Sequence, residues 1–239
     1  MKSDSKITLL CSIKMNKMFF GCLSLRKLNI FKIYFENINM KNFLYKCKGL
    51  EEVIFSCVIG NNADISYMFY QCKSLKKVIF SDFIINNITD MSKMLCGCSS
   101  LDEVVFFHFK AKNIIYMNNM FEECNTLKKI IFFDFNPNKV SNISCIFCQC
   151  SSLKKIDLSN VTFDNVCDIS FIFYGCSSLE EINTLKFKSK KTIYMNSMFS
   201  QYISLKKVMF SEFNTQNVID MSYMFSNCSS LNELNLSFF

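Results

Sequence analysis

The chain repeats nearly the same twelve residues at a fixed interval. Residues 220–231 read DMSYMFSNCSSL, residues 64–75 read DISYMFYQCKSL, and residues 168–179 read DISFIFYGCSSL. The leucine that closes this stretch recurs after two steps of 25 residues and then six steps of 26. It stands at Leu25, Leu50, Leu75, Leu101, Leu127, Leu153, Leu179, Leu205 and Leu231.

A repeat of this length is typical of a solenoid, in which each copy buries its apolar face against the next copy. The spacing therefore predicts a single solenoid domain of nine repeats over residues 13–239, with the last repeat incomplete. Residues 1–12 form a short lead-in before the first copy.

The apolar spacing changes halfway through each copy. Residues 221–228 place Met, Met, Phe and Cys at i, i+3, i+4 and i+7, which predicts a short helix. Residues 75–80 read LKKVIF, where the two-residue alternation predicts a strand with one buried side. An N-cap candidate precedes six of these predicted helices, at Asn39, Asp64, Asp90, Asn142, Asp168 and Asp220. We therefore predict an α/β solenoid, a right-handed coil with short parallel strands on one face and short helices on the other.

The stretch Asp220–Leu231, preceded by Asn217 and Val218, resembles the BspA-like repeats of bacterial and protist surface proteins. The segment LRKLNI at Leu25–Ile30 also resembles the core of ordinary leucine-rich repeats. The resemblance covers essentially the whole chain and implies a leucine-rich-repeat architecture. It further implies adhesion at a cell surface, through binding of host or matrix proteins.

Composition argues against several other classes of protein. The 239 residues carry 27 basic and 20 acidic side chains, which gives a net charge of +7. Because the two signs are interspersed along the chain, we expect no nucleic-acid partner. No apolar run reaches the 18 or so residues that a bilayer span requires, so we expect no membrane span. The short apolar run near the N-terminus follows Asp4 and lacks a cleavage site, so we expect no secretory signal.

Catalytic and metal-binding residues are scarce in the sequence. His108 is the single histidine, and no glycine-rich phosphate-binding loop occurs, so we expect neither an enzyme nor a bound cofactor. Cys145, Cys148 and Cys150 form a C-x-x-C-x-C cluster that in isolation could hold zinc. Because Cys150 belongs to an interior column, we expect no metal there. A metal- or redox-responsive protein built on this cluster is a third alternative.

A column of cysteines precedes the recurring leucine by three residues, with Tyr202 as its one substitution. Neighbouring strands lie about 4.8 Å apart, farther than the ~3.8 Å between the Cβ atoms of a disulfide. We therefore expect buried, reduced thiols that act as small apolar side chains. The column consists of Cys22, Cys47, Cys72, Cys98, Cys124, Cys150, Cys176 and Cys228.

The candidate binding face lies on the outward side of the predicted strands. A contiguous apolar row of Ile54, Ile79, Val105 and Ile131 occupies positions where a solvated sheet is usually polar. Two further outward residues, Phe107 and Phe133, join it, as does Phe31. Two adjoining copies also place four lysines together, which suggests an acidic partner: Lys128, Lys129, Lys154 and Lys155.

These features predict a non-enzymatic protein that binds a protein ligand, either a host, matrix or intracellular protein. The main alternative to a surface adhesin is an intracellular leucine-rich-repeat adaptor, which so many unpaired thiols and the lack of a signal favour. Localisation therefore stays open between the cell surface and the cytoplasm. The last copy ends without a polar cap, so Leu234, Leu236, Phe238 and Phe239 could support end-to-end self-association.

Overall fold

A computed structural model shows the chain as a parallel β-solenoid. It describes residues 7–9, 13–35, 37–111, 113–133, 137–156, 164–179, 191–208 and 215–236. The strands are β1 (Ile7–Leu9), β2 (Ile13–Lys14), β3 (Lys27–Phe35), β4 (Asn37–Asn39), β5 (Glu52–Asp64), β6 (Lys77–Ile88), β7 (Glu103–Phe107), β8 (Lys129–Phe133), β9 (Lys207–Val208) and β10 (Glu233–Leu234).

Each strand pairs in parallel with the strand of the next copy. The main sheet runs in the order β1-β3-β5-β6-β7-β8, with β2 and β4 pairing beside it, and β9 and β10 form a second parallel pair. The register matches the sequence period, because Phe55 pairs with Phe80 and Phe80 with Phe106, at steps of 25 and 26 residues. The strands predicted after the recurring leucine are therefore confirmed in β3, β5, β6, β7 and β8.

The predicted helices are wrong for the residues that the structure describes, since none of these residues is helical. The segment from Met40 to Cys47 forms successive tight turns, in which Phe43 N–H donates to the Met40 carbonyl over 3.0 Å and Cys47 N–H to the Leu44 carbonyl over 3.1 Å. The alternate N–H groups point along the solenoid, as Leu44 N–H does when it donates to the Met68 carbonyl over 2.8 Å. The class of the described part is thus all-β rather than α/β.

Residues in the left-handed backbone region explain why the turns do not continue as a helix. Asn42 and Lys46 have φ values of 56° and 57°. The same two positions are left-handed in the other copies, and Gly21, Gly97 and Gly175 occupy the second one. A right-handed helix does not accommodate a left-handed residue at every fourth position. Two consecutive turns still bring residues i, i+3, i+4 and i+7 to one side, so their spacing imitates that of a helix.

The side chains predicted as N-caps accept hydrogen bonds, but they start turns instead of helices. Asp168 Oδ1 accepts from Ser170 N–H over 2.9 Å and from the Ser170 hydroxyl over 2.6 Å. Asn142 Oδ1 accepts the same two bonds from Ser144 over 2.8 and 2.7 Å. This geometry accounts for the D-x-S letters of the repeat, because an Asx side chain can satisfy the N–H group two residues later.

The core is a set of aromatic and aliphatic columns that run along the solenoid. Phe55, Phe80 and Phe106 stack with ring centroids 5.4 and 5.2 Å apart and nearly parallel planes. A second column stacks Phe121 on Phe147 and Phe147 on Phe173, at 5.7 and 5.9 Å. These side chains are fully buried, so each copy supplies one ring to a column that only the neighbouring copies complete.

Removing one Asx acceptor should destabilise the solenoid. We expect Asp168→Ala to lower the free energy of unfolding by about 1–2 kcal/mol, because two hydrogen bonds to Ser170 are lost. The measurement is urea denaturation followed by circular dichroism. Asp168→Asn is the matched control, since Asn142 makes the same contacts one copy earlier, and it should cost less than about 0.5 kcal/mol. Equal losses for the two variants would contradict the assigned role.

Candidate protein-binding face

The apolar row of Ile54, Ile79, Val105 and Ile131 forms one continuous line across four strands. The parallel register pairs Ile54 with Ile79, Ile79 with Val105, and Val105 with Ile131. All four side chains are partly exposed, whereas the residues on either side of Ile54, Ile79 and Val105 are fully buried. These residues therefore lie next to one another on the outward side of the sheet.

The phenylalanines do not join the apolar row as one patch. Phe31 and Phe107 are 56% and 39% exposed, but Ser56 and Ser81 lie between them in the strand register. The backbone of Phe133 pairs with Phe107 at the next step, while the placement of its side chain lies outside the described residues. Phe107 thus lies beside Val105 at one end of the row, and Phe31 lies at the other end.

A row of alternating charges borders the apolar row on its other side. It pairs Lys27 with Glu52, Glu52 with Lys77, Lys77 with Glu103, and Glu103 with Lys129. Lys27 Nζ lies 2.9 Å from Glu52 Oε2, and Lys77 Nζ lies 3.5 Å from Glu103 Oε2. Opposite charges on adjacent parallel strands stabilise the sheet and keep this border soluble.

The predicted cluster of four unrelieved lysines requires correction. Lys128 Nζ lies 3.2 Å from Asp102 Oδ1, and Lys129 Nζ lies 3.9 Å from Glu103 Oε1. These two lysines therefore have acidic partners in the preceding copy. Lys154 and Lys155 are exposed at the next step. The acidic pair that follows them in the sequence, Glu180 and Glu181, lies outside the described residues.

The cysteine column has a polar role that sequence reasoning missed. Each described cysteine of the chain is a free thiol, and most members of the column donate a hydrogen bond to a carbonyl of the preceding copy. Cys98 Sγ donates to the Phe69 carbonyl over 3.1 Å, and Cys124 Sγ donates to the Leu95 carbonyl over 3.2 Å. The Tyr202 hydroxyl, which replaces a thiol in this column, donates to the Leu179 carbonyl. The column therefore selects a buried side chain that carries one hydrogen-bond donor.

Burial suppresses the thiolate form of several thiols in the column. It raises the pKa of Cys98 and of Cys176 to about 12, and it also raises the pKa values of Cys124 and Cys150. The nucleophilic form of cysteine is the thiolate. At neutral pH these side chains are thus neutral donors within the core.

An asparagine ladder on the exposed corner is a second feature whose geometry the sequence did not reveal. Asn113 Nδ2 donates to Asn87 Oδ1 over 2.6 Å, and Asn87 Nδ2 donates to Asn62 Oδ1 over 2.9 Å. Asn62 Nδ2 in turn donates to Asn37 Oδ1, and Lys139 Nζ donates to Asn113 Oδ1 over 2.7 Å. Three of these asparagines, with Asn39 and Asp64 among others, line an open groove of about 430 Å³. The recurrence of Asn at one repeat position was the available signal.

The described residues hold no group of three or more His, Cys, Asp or Glu side chains that could bind a metal ion. Cys150 points into the core and donates to the Phe121 carbonyl over 3.1 Å, so it is separated from Cys145 and Cys148. His108 Nδ1 lies 3.1 Å from Asp82 Oδ1 on a partly exposed surface. Within the described ranges, no helix has the length and apolarity needed to cross a bilayer.

Fold and surface together define a repeat protein whose interior is uniform and whose outward rows differ from copy to copy. The chain belongs to the family described as "Mycoplasma protein of unknown function, DUF285", whose model matches residues 11–83, 63–184 and 153–238. The family match supports the resemblance to BspA-like repeats.

One solved structure that is similar to this chain is a leucine-rich cell surface protein from Faecalibacterium prausnitzii A2-165. It shares 16% sequence identity with this chain at a TM-score of 0.28, and the match covers 89% of this chain and 83% of the other. No curated protein matches this sequence.

Buried and half-buried cysteines should differ in their reactivity. In native protein at neutral pH, we expect iodoacetamide to label Cys98, Cys124 and Cys176 at least about tenfold more slowly than Cys57 and Cys167, because the former react only after local opening. Peptide-resolved mass spectrometry over a time course measures these rates. The difference should vanish in concentrated urea, and its absence in native protein would contradict the buried column.

Proposed function

We propose that this chain is a non-enzymatic repeat protein that binds a protein partner through the outward face of strands β5 to β8. The single observation that carries the proposal is the apolar row. Four adjacent strands present Ile or Val to solvent where a one-sided sheet ordinarily presents polar residues. A contiguous apolar surface rimmed by charge is the usual composition of a protein interface.

The partner that fits this face presents an apolar surface with acidic groups at one edge. Phe107 is exposed beside Val105, and the exposed Lys128, Lys129, Lys154 and Lys155 lie at the same end of the sheet. Although Lys128 and Lys129 have acidic partners within the chain, such exposed pairs contribute little energy and can exchange partners. Acidic side chains of the ligand would therefore direct its orientation on the row more than they would add affinity.

Resemblance to BspA-like repeats supports a role in adhesion at a cell surface, with a host or matrix protein as the ligand. The repeat organisation supports the same proposal, because a solenoid of nine copies over residues 13–239 would present an extended binding surface without a catalytic cleft. Under this proposal the chain needs no cofactor and no metal. Adhesion is carried to this chain by analogy at the level of fold.

The free thiols favour a second candidate function, an intracellular adaptor. Cysteines in exported proteins are commonly paired, whereas each described cysteine here is free. The buried column explains several of them as hydrogen-bond donors to the preceding copy, whereas Cys57 and Cys167 are half-buried and lie outside that column. Both candidates use the same face and differ in the compartment of the partner.

Substituting the apolar row should abolish binding and leave the fold intact. We expect Ile79→Thr, Val105→Thr and Ile131→Thr, combined in one chain, to weaken ligand binding by roughly a hundredfold or more, because interface cores carry most of the binding energy. Surface plasmon resonance against purified matrix and host-surface proteins measures the loss. Threonine keeps the β-branched shape, so the circular dichroism spectrum should be unchanged.

The chain offers a matched control for this triple variant. Ile115, Ile203 and Ile219 are 36%, 53% and 74% exposed and lie outside the row. Their joint replacement by Thr removes the same kind of side chain and should leave binding unchanged. If both triple variants bind like the parent chain, the proposed face is wrong.

The cellular location of the protein distinguishes the surface adhesin from the intracellular adaptor. If the protein is a surface adhesin, we expect protease added to intact cells to remove an epitope-tagged copy, while a cytosolic marker stays whole. Immunoblotting of treated and untreated cells is the measurement. Survival of the tagged protein until the cells are lysed would favour the intracellular adaptor.

A further inference from the structure

Two cysteines outside the interior column lie three residues apart in one turn of the sixth copy of the repeat. Cys145 is half-buried, and Cys148 is just below the surface. Neither belongs to the interior column, which Cys150 represents in this copy. Other copies place residues such as Lys17 and Phe20, or Tyr67 and Tyr70, at the same two outward positions. The sixth copy is the one that carries a thiol at both.

The backbone holds these two residues at a separation that suits a disulfide. Cys148 N–H donates to the Cys145 carbonyl over 3.1 Å, so the pair spans a hydrogen-bonded turn. The Cα atoms at the two ends of such a turn lie within about 7 Å, which overlaps the ~4.4–6.8 Å range of disulfides.

Neighbouring copies fix this turn from both sides. Cys145 N–H donates to the Ser170 carbonyl over 2.9 Å, and Glu123 N–H donates to the Cys148 carbonyl over 2.9 Å. The turn is therefore part of the ladder that joins the copies, and its backbone is held by hydrogen bonds on both sides.

The two thiols already interact, and the interaction makes them unequal. Hydrogen bonding with Cys148 lowers the pKa of Cys145, and Lys93 acts in the same direction, whereas burial, Glu122 and Asp168 oppose the shift. The same hydrogen bond, together with burial, raises the pKa of Cys148. In such a pair the more accessible thiol attacks an external disulfide, and the more buried thiol then displaces the bound group from the mixed disulfide.

We propose that Cys145 and Cys148 form a redox-active dithiol that a low-molecular-weight disulfide oxidises to an intrachain disulfide. In the first step the Cys145 thiolate attacks one sulfur of the disulfide RSSR, and one RS⁻ leaves. In the second step Cys148 loses its proton to water, attacks the Cys145 sulfur and releases the second RS⁻. Two protein thiols are oxidised, and one RSSR is reduced to two RSH. This reaction is independent of the proposed binding face.

Oxidised glutathione is the probe that tests the proposal. The reduced full chain is incubated with it, the remaining free thiols are blocked with iodoacetamide in concentrated urea so that buried thiols also react, and trypsin releases residues 140–154, which contain Cys145, Cys148 and Cys150. We expect this peptide to lose two hydrogen atoms and to carry its one alkyl group on Cys150. Its oxidation should be at least about tenfold faster than glutathionylation of Cys57. Dithiothreitol should reverse the change.

Two substitutions distinguish the roles of the two thiols. Cys148→Ser should trap Cys145 as a stable mixed disulfide with glutathione, because the resolving thiol is missing. Cys145→Ser should leave Cys148 alkylated after the same treatment. Cys96→Ser, a change at another sulfur with an outward contact to Glu122, should not alter the outcome.

Three results would overturn the proposal: three alkyl groups on the oxidised peptide, a bond that includes Cys150, or equal reactivity of the parent chain in urea and in native buffer. The last result would show that the folded turn confers no preference.

Discussion

The hydrogen bonds that run from copy to copy are the interaction on which the rest of the structure depends. In the turn segment, alternate N–H groups close local turns, and the others cross to the next copy, as Asn42 N–H does in donating to the Ser66 carbonyl over 3.1 Å. The bridges continue beyond the long strands, from Asp90 to Tyr116 and on to Asp220. Because every cross-copy bond requires the same register, the spacing of 25 or 26 residues is a condition of pairing. Side chains at one repeat position then stack into columns.

The interior and the outward apolar row could be predicted from the sequence, because both follow from strand alternation and a fixed period. The helices could not be rejected at that stage. Met40, Phe43, Leu44 and Cys47 have the apolar spacing of a helix. The left-handed backbone that forbids a helix is marked by glycine in three copies, while Lys46 and other ordinary side chains occupy the same position elsewhere. Lysine is not a residue that a left-handed position usually selects.

Polar contacts were predicted less well than apolar ones, because they depend on which neighbour a flexible side chain reaches. The sequence placed Lys128 and Lys129 beside another basic pair, yet in the structure they turn back to Asp102 and Glu103. The hydrogen bonds donated by the cysteine column could not be predicted either, since its place in the core is enough to account for a cysteine at that position. Only the three-dimensional position of the Phe69 and Leu95 carbonyls shows why a side chain with a donor recurs there.

The asparagine ladder gives the solenoid a direction. Its amide donors all point toward the preceding copy, from Asn113 to Asn87 and from Asn87 to Asn62. Amide dipoles aligned in this way polarise one another, so each added rung strengthens the bonds already formed. The ammonium group of Lys139 donates to the last acceptor, where positive charge reinforces the same polarisation. This corner of the molecule therefore behaves as a small electric dipole along the solenoid axis, built entirely from side chains.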